Sequence, residues 1–141
     1  RIHRFRSTSE KGLFALAKDI ARLTADSIDI AALQEIAAPP KSEKWGSLKS
    51  LEKVLATVCA PEEARRALTP LVGTYQLRLA DAHLPGSELS EAMKLAGIDS
   101  SSPTLHQGQT LIANCAAAGA AISSLIEGLA KSTREESHGT K

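Results

Sequence analysis

Aromatic residues are nearly missing from this 141-residue chain, which has two Phe, one Tyr and one Trp (Phe5, Phe14, Trp45 and Tyr75). Strands are filled by aromatic and β-branched side chains, so an all-β fold is excluded. Cysteine is equally sparse. Cys59 and Cys115 form no C-x-x-C, and His3, His83, His106 and His138 are scattered, so no zinc or haem spacing exists and neither a metal nor a cofactor is expected. The two thiols read as small buried hydrophobes. Glycine-rich phosphate loops, G-x-S-x-G, H-E-x-x-H and dense carboxylate clusters are all absent from the sequence.

Charge of one sign is lacking as well. Residues 1–70 hold twelve Lys/Arg against nine Asp/Glu, and residues 71–141 hold five against seven. That balance is not the basic stripe of a dedicated DNA-binding domain. The run Arg1-Ile2-His3-Arg4-Phe5-Arg6 is short and reads as a solvated segment leading into the first helix. No charged-then-apolar leader is visible, and a cytoplasmic location is expected. Because the chain opens at Arg1, it is expected to be a fragment of a longer protein, with a neighbouring domain in the full-length chain.

What the chain has instead is alanine and leucine, both strong helix formers. The expected fold is therefore all-α, a compact bundle of five or six helices. Residues 1–130 are expected to form a single helical domain, and 131–141 a polar, frayed tail. Ser7 and Glu10 have capping-box spacing, and Leu13, Leu16, Ile20 and Leu23 follow at helical intervals. A second helix is expected over about Ser27 to Ala37, ended by Pro39-Pro40, with Trp45 folded back as a lid. Ser47 fits the N-cap of a third helix, and Pro61 followed by Glu62-Glu63 fits the first turn of a fourth. Pro70 is expected to kink or restart that fourth helix, which should stop near Leu84 before Pro85-Gly86. Ser87 to Ala96, closed by Gly97, gives a fifth. Ser102-Pro103 opens the last, running to about Leu129.

Thr104 to Ile126 contains no Asp, Glu, Lys or Arg. Gln107, Gln109, Asn114 and the Ala, Gly and Ser content argue against a membrane span, so no membrane partner is expected. Leu105, Gly108, Ile112, Cys115, Gly119, Ile122, Ile126 and Leu129 recur on alternating three- and four-residue steps. That stripe fits a helix packed along its length, either in its own bundle or against a second subunit. A homodimer formed through this last helix is one expectation.

The remaining constellation is Leu77-Arg78-Leu79-Ala80-Asp81-Ala82-His83-Leu84. Arg78 and His83 flank the apolar face of the fourth helix. Five residues apart, they sit about 140° apart on a regular helix. They meet at one ligand only if the helix end distorts or a second copy supplies the partner group. An imidazole can move a proton to or from a ribose oxygen, and a guanidinium can neutralise a transition-state phosphate, so the pair suits metal-free cleavage of RNA. The ordinary alternative is an i, i+3 ion pair between Arg78 and Asp81, with His83 capping the last carbonyls.

Arg78 to His83 resembles the R-x4-6-H motif of the HEPN superfamily, helical bundles found in toxin-antitoxin and antiviral ribonucleases and in other prokaryotic defence proteins. The resemblance implies a HEPN-like fold, metal-independent endoribonuclease activity with Arg78 and His83 as catalytic residues, and a cleft completed by a homodimer. Asp81 and Tyr75 are the supporting candidates. Leu79 departs from the pattern, because active members often carry Asn, Asp or His after the motif arginine. Some domains of the superfamily act without cleaving RNA. The alternative function is thus a non-catalytic helical module for dimerisation or partner binding. With so few aromatic rings for stacking bases, any RNA would be held mainly through phosphate.

Overall fold

The computed structural model describes residues 10–82 and 85–139, apart from the side chains of residues 10, 81 and 82. The expected Ser7–Glu10 capping box, the basic run Arg1 to Arg6, and His83 lie outside the described residues. The fold is all-α. Among the described residues there are six helices, α1 (Glu10–Leu23), α2 (Ile30–Ile36), α3 (Ser47–Leu55), α4 (Pro61–Arg78), α5 (Gly86–Leu95) and α6 (Thr104–His138). Short 3₁₀ turns at Ala25–Ser27 and Leu79–Ala82 follow α1 and α4, and no strand occurs among the described residues.

The chain divides into two units. The first comprises Arg1–Ser27 with Thr69–Ala116, and the second Ile28–Leu68 with Ala117–Lys141. In the first, Leu13, Leu77 and Leu111 are sealed from solvent at 1%, 0% and 0% exposure. Burying each such side chain contributes ~1.5–3 kcal/mol. Small residues let the helices approach closely. A Cβ on Gly73 of α4 would strike the backbone of α5, meeting the Ala96 nitrogen, the Leu95 carbonyl carbon at 2.7 Å and the Ala92 oxygen at 2.9 Å. In the second unit, Leu51, Val54 and Leu55 of α3, Leu68 of α4 and Ile122 of α6 are buried.

Local chemistry explains most element boundaries. The expected second helix is shorter than its sequence reading and starts three residues later. Residues Ala25–Ser27 form a 3₁₀ turn, and α2 starts at Ile30 because the Asp29 carboxylate accepts the Ala32 amide at 3.1 Å. Ser47 is the first residue of α3, and the N-cap is Gly46, which offers no side-chain bond. Pro61 does open α4. Pro70 does not break it, and the helix runs unbroken to Arg78. The carbonyl that Pro70 leaves without an amide belongs to the exposed Arg66, where water can satisfy it. The Thr74 hydroxyl meanwhile donates to the Pro70 oxygen at 2.7 Å.

Gly97 ends α5 as expected, in the left-handed conformation with φ +73°. The Ile98 amide bonds to the Met93 oxygen and the Gly97 amide to the Lys94 oxygen, the paired bonds of a Schellman close. Trp45 is half-buried, not a full lid. Its indole nitrogen donates to Glu43 at 2.7 Å, and the Lys53 ammonium lies 5.6 Å from the ring centre. Helix α6 continues nine residues past Leu129, to His138. Glu127, Lys131 and Glu135, spaced four apart, favour that continuation.

Candidate functional site

The motif begins where α4 ends. Regular α-helix stops at Arg78, and the chain tightens into the 3₁₀ turn Leu79–Ala82 in place of the expected run to Leu84. Arg78 is engaged there. Its Nη1 donates to both carboxylate oxygens of Asp26, at 3.0 and 2.8 Å, and its guanidinium lies 4.1 Å from the centre of the Tyr75 ring. The side chain is 21% exposed and that of Asp26 44%. Tyr75, half-buried, supports Arg78 as a platform under the cation.

The structure therefore brings Arg78 together with Tyr75 and with Asp26. The carboxylate it holds comes from the 3₁₀ turn after α1, whereas the ordinary alternative read from sequence was Asp81. The side chain of Asp81 and all of His83 lie outside the described residues. Asp26 went unread in the sequence because 52 residues separate it from Arg78 and no local pattern links them.

Beside the motif, Gln76, Leu79, Glu88 and Glu91 line a hollow of about 310 Å³. Leu79 is 45% exposed in it. Two carboxylates from α5 thus face the same hollow as the motif's leucine. That arrangement repels phosphate and attracts cations.

The thiols offer no activated nucleophile. Burial pushes the Cys115 thiol up, only partly opposed by the Thr74 hydroxyl 3.1 Å away. Cys59 is also raised, by desolvation and then by the negative charge of Glu63. Asp99 is lowered by hydrogen bonds from Ser101, first its hydroxyl and then its amide, which close the loop before α6. Among the described residues no three His, Cys, Asp or Glu side chains cluster as metal ligands would.

Helix α6 presents a different kind of surface. Three of the eight residues of the expected apolar stripe are buried, Gly108, Cys115 and Ile122, while Leu105, Ile112 and Ile126 stand 48%, 42% and 44% exposed. The face that packs is turned slightly from that stripe, through Gln107, Leu111, Cys115, Ala118 and Ile122. The exposed members are seven residues apart or a multiple of it, with the exposed Gly119 between Ile112 and Ile126. Leu105 and Ile112 share one edge of the first half of α6. By length and composition α6 is apolar enough to cross a membrane, with an 18-residue window of mean hydropathy 1.4 of which 22% is buried. Two polar side chains tie its first half to the rest of its unit. Gln107 donates to the Ser100 and Ser102 carbonyls, and Asn114 donates to the Ala96 carbonyl at 3.0 Å.

Comparison of the chain with family models, with curated proteins and with solved structures finds no match. The resemblance to the HEPN superfamily accordingly rests on Arg78 to His83 and on the helical architecture.

Proposed function

We propose that this chain is a non-catalytic helical interaction module that pairs with a second copy of itself through the exposed edge of α6. The observation that carries the reading is the exposure of Leu105 and Ile112 on one edge of the first half of α6, in a stretch free of Asp, Glu, Lys and Arg from Thr104 to Ile126. Burying these two large side chains against a partner helix supplies the drive. A helix partner fits better than lipid, because the Gln107 and Asn114 anchors hold this helix against protein. Sedimentation velocity tests it. The protein is expected to sediment as a dimer at micromolar concentration and Ile112→Glu as a folded monomer; a wild-type monomer at about 100 μM overturns the reading.

A second reading is a HEPN-like, metal-independent endoribonuclease, in which His83 moves the proton and Arg78 steadies the phosphate. It is favoured by one observation, the change from α to 3₁₀ winding over Leu79–Ala82 directly after Arg78, a departure from the regular helix. Against it stand the Asp26 carboxylate on Arg78 and the acidic hollow at Glu88 and Glu91. Incubation with RNA in EDTA separates the two. Intact RNA is expected. Cleavage to 2′,3′-cyclic phosphate ends, lost in both Arg78→Ala and His83→Ala, would establish the ribonuclease instead.

A further inference from the structure

The exposed edge in the first half of α6 has one polar member. Leu105, Gln109, Ile112 and Ala116 follow one another at steps of four, three and four residues, and all four are exposed. On a regular helix Gln109 stands about 40° round the axis from Leu105 and about 60° from Ile112. A surface that covers those two side chains therefore covers the glutamine between them.

A glutamine under an apolar contact needs a partner. Its amide carries two N–H donors and a carbonyl acceptor, and desolvating them without a hydrogen bond is costly. Set against a leucine or isoleucine of a second copy, the amide would bear that cost in full. Set against its own copy it does not, because each amide donates to the carbonyl of the other. Ion pairs along this edge cannot fix where two copies meet, since no Asp, Glu, Lys or Arg occurs from Thr104 to Ala116. In a two-fold pair the residue beside the axis meets itself. One polar residue in an apolar helix seam fixes register and chain number in the same way.

We infer that, in the self-pairing on which this step rests, Gln109 is the specificity-determining residue: it hydrogen-bonds to Gln109 of the partner subunit beside the two-fold axis and so sets the register of the pair. Leu105 and Ile112 supply the apolar contact. Gln109 decides where along α6 that contact forms.

Charge exchange at this position tests the assignment by sedimentation velocity on the full chain. Gln109→Glu sets two carboxylates against each other and Gln109→Lys two ammonium groups, so each variant alone is expected to dimerise at least about tenfold more weakly than the wild type. An equimolar mixture of the two is expected to recover the dimer, because a carboxylate then faces an ammonium. Circular dichroism checks that both variants fold, as changes at an exposed helix position should allow. A mixture no more dimeric than its components, or either variant pairing as well as the wild type, overturns the role of Gln109 and leaves the wild-type dimer standing. A wild-type monomer at about 100 μM overturns the self-pairing and the role of Gln109 together.

Discussion

Arg78 and Asp26 stand 52 residues apart in the chain and are joined by a single guanidinium nitrogen that reaches both carboxylate oxygens, at 3.0 and 2.8 Å. The bond fastens the end of α4 to the turn that follows α1. It also sets a competition, because a phosphate seeking Arg78 must displace a carboxylate already in place.

Removing that carboxylate should be a mild change. Asp26→Ala is expected to lower stability by about 0.5 kcal/mol, since both side chains are partly exposed and solvent screens the pair. Urea denaturation measures the loss, which should shrink further at about 1 M salt. The same variant probes function. RNA cutting by Asp26→Ala but not by the wild type would show that Asp26 restrains an active motif.

Gly73→Ala should be severe by comparison. The new methyl would meet the backbone of α5, which cannot swing aside as a flexible side chain can. A loss of about 3 kcal/mol in urea denaturation is expected, at the upper end of overpacking costs. Gly128→Ala is the matched control. It too lies inside a helix, but nothing stands within 4 Å of its added Cβ, so a gain of about 0.5–1 kcal/mol is expected from helix propensity alone.

Stability should depend on pH through Cys115. Its folded pKa is raised above the ordinary 9.0 because burial disfavours the thiolate. The folded state therefore holds this proton more tightly than the unfolded chain does. Its contribution is fully present below pH 9.0 and is lost as pH rises through the folded value. Urea midpoints of the wild type should fall more steeply above pH 9 than those of Cys115→Ala, which retains the background titration of the other groups. Parallel curves would mean that the thiol ionises equally well in both states.

Deleting residues 131–141 should leave the stability of the remainder within about 0.5 kcal/mol of the whole. Residues 131–138 continue α6, yet every one of them is exposed. Urea denaturation and circular dichroism together check this, with helix signal lost while the unfolding free energy holds. A larger loss, appearing only at concentrations where the chain is dimeric, would extend the pairing edge beyond Leu129.

Elements with local causes were legible in the sequence. Pro61 at the start of α4, Pro39-Pro40 after α2 and Gly97 after α5 all act within a few residues of themselves, and each stands where its chemistry demands. The errors have longer reach. Pro70 was expected to kink or restart α4, and the helix does not restart there: a proline costs one backbone bond, and Arg66, whose carbonyl goes without it, is an exposed residue. The apolar stripe of α6 was read in one phase of the three- and four-residue repeat, whereas the packed side, Leu111, Cys115, Ala118 and Ile122, follows the same steps in a neighbouring phase and leaves Leu105, Ile112 and Ile126 exposed. At the motif, sequence supplied Arg78 and Tyr75 as neighbours one helical turn apart. It could not supply Asp26, because an ion pair across 52 residues leaves no periodicity to read.

The end of α5 also constrains how this chain can vary. Gly73 abuts the backbone of Ala92, Leu95 and Ala96, and Gly97 closes the same segment with φ +73° while an added Cβ there would meet the Asn114 amide at 2.5 Å. Every missense change of a glycine codon introduces a side chain, and at both positions that side chain collides. Two sites 24 residues apart therefore form one cold spot for mutation. A random library of this domain, selected for folding alone, should return both glycines while tolerating free drift at Gly46, Gly86 and Gly128, where an added Cβ meets nothing within 4 Å.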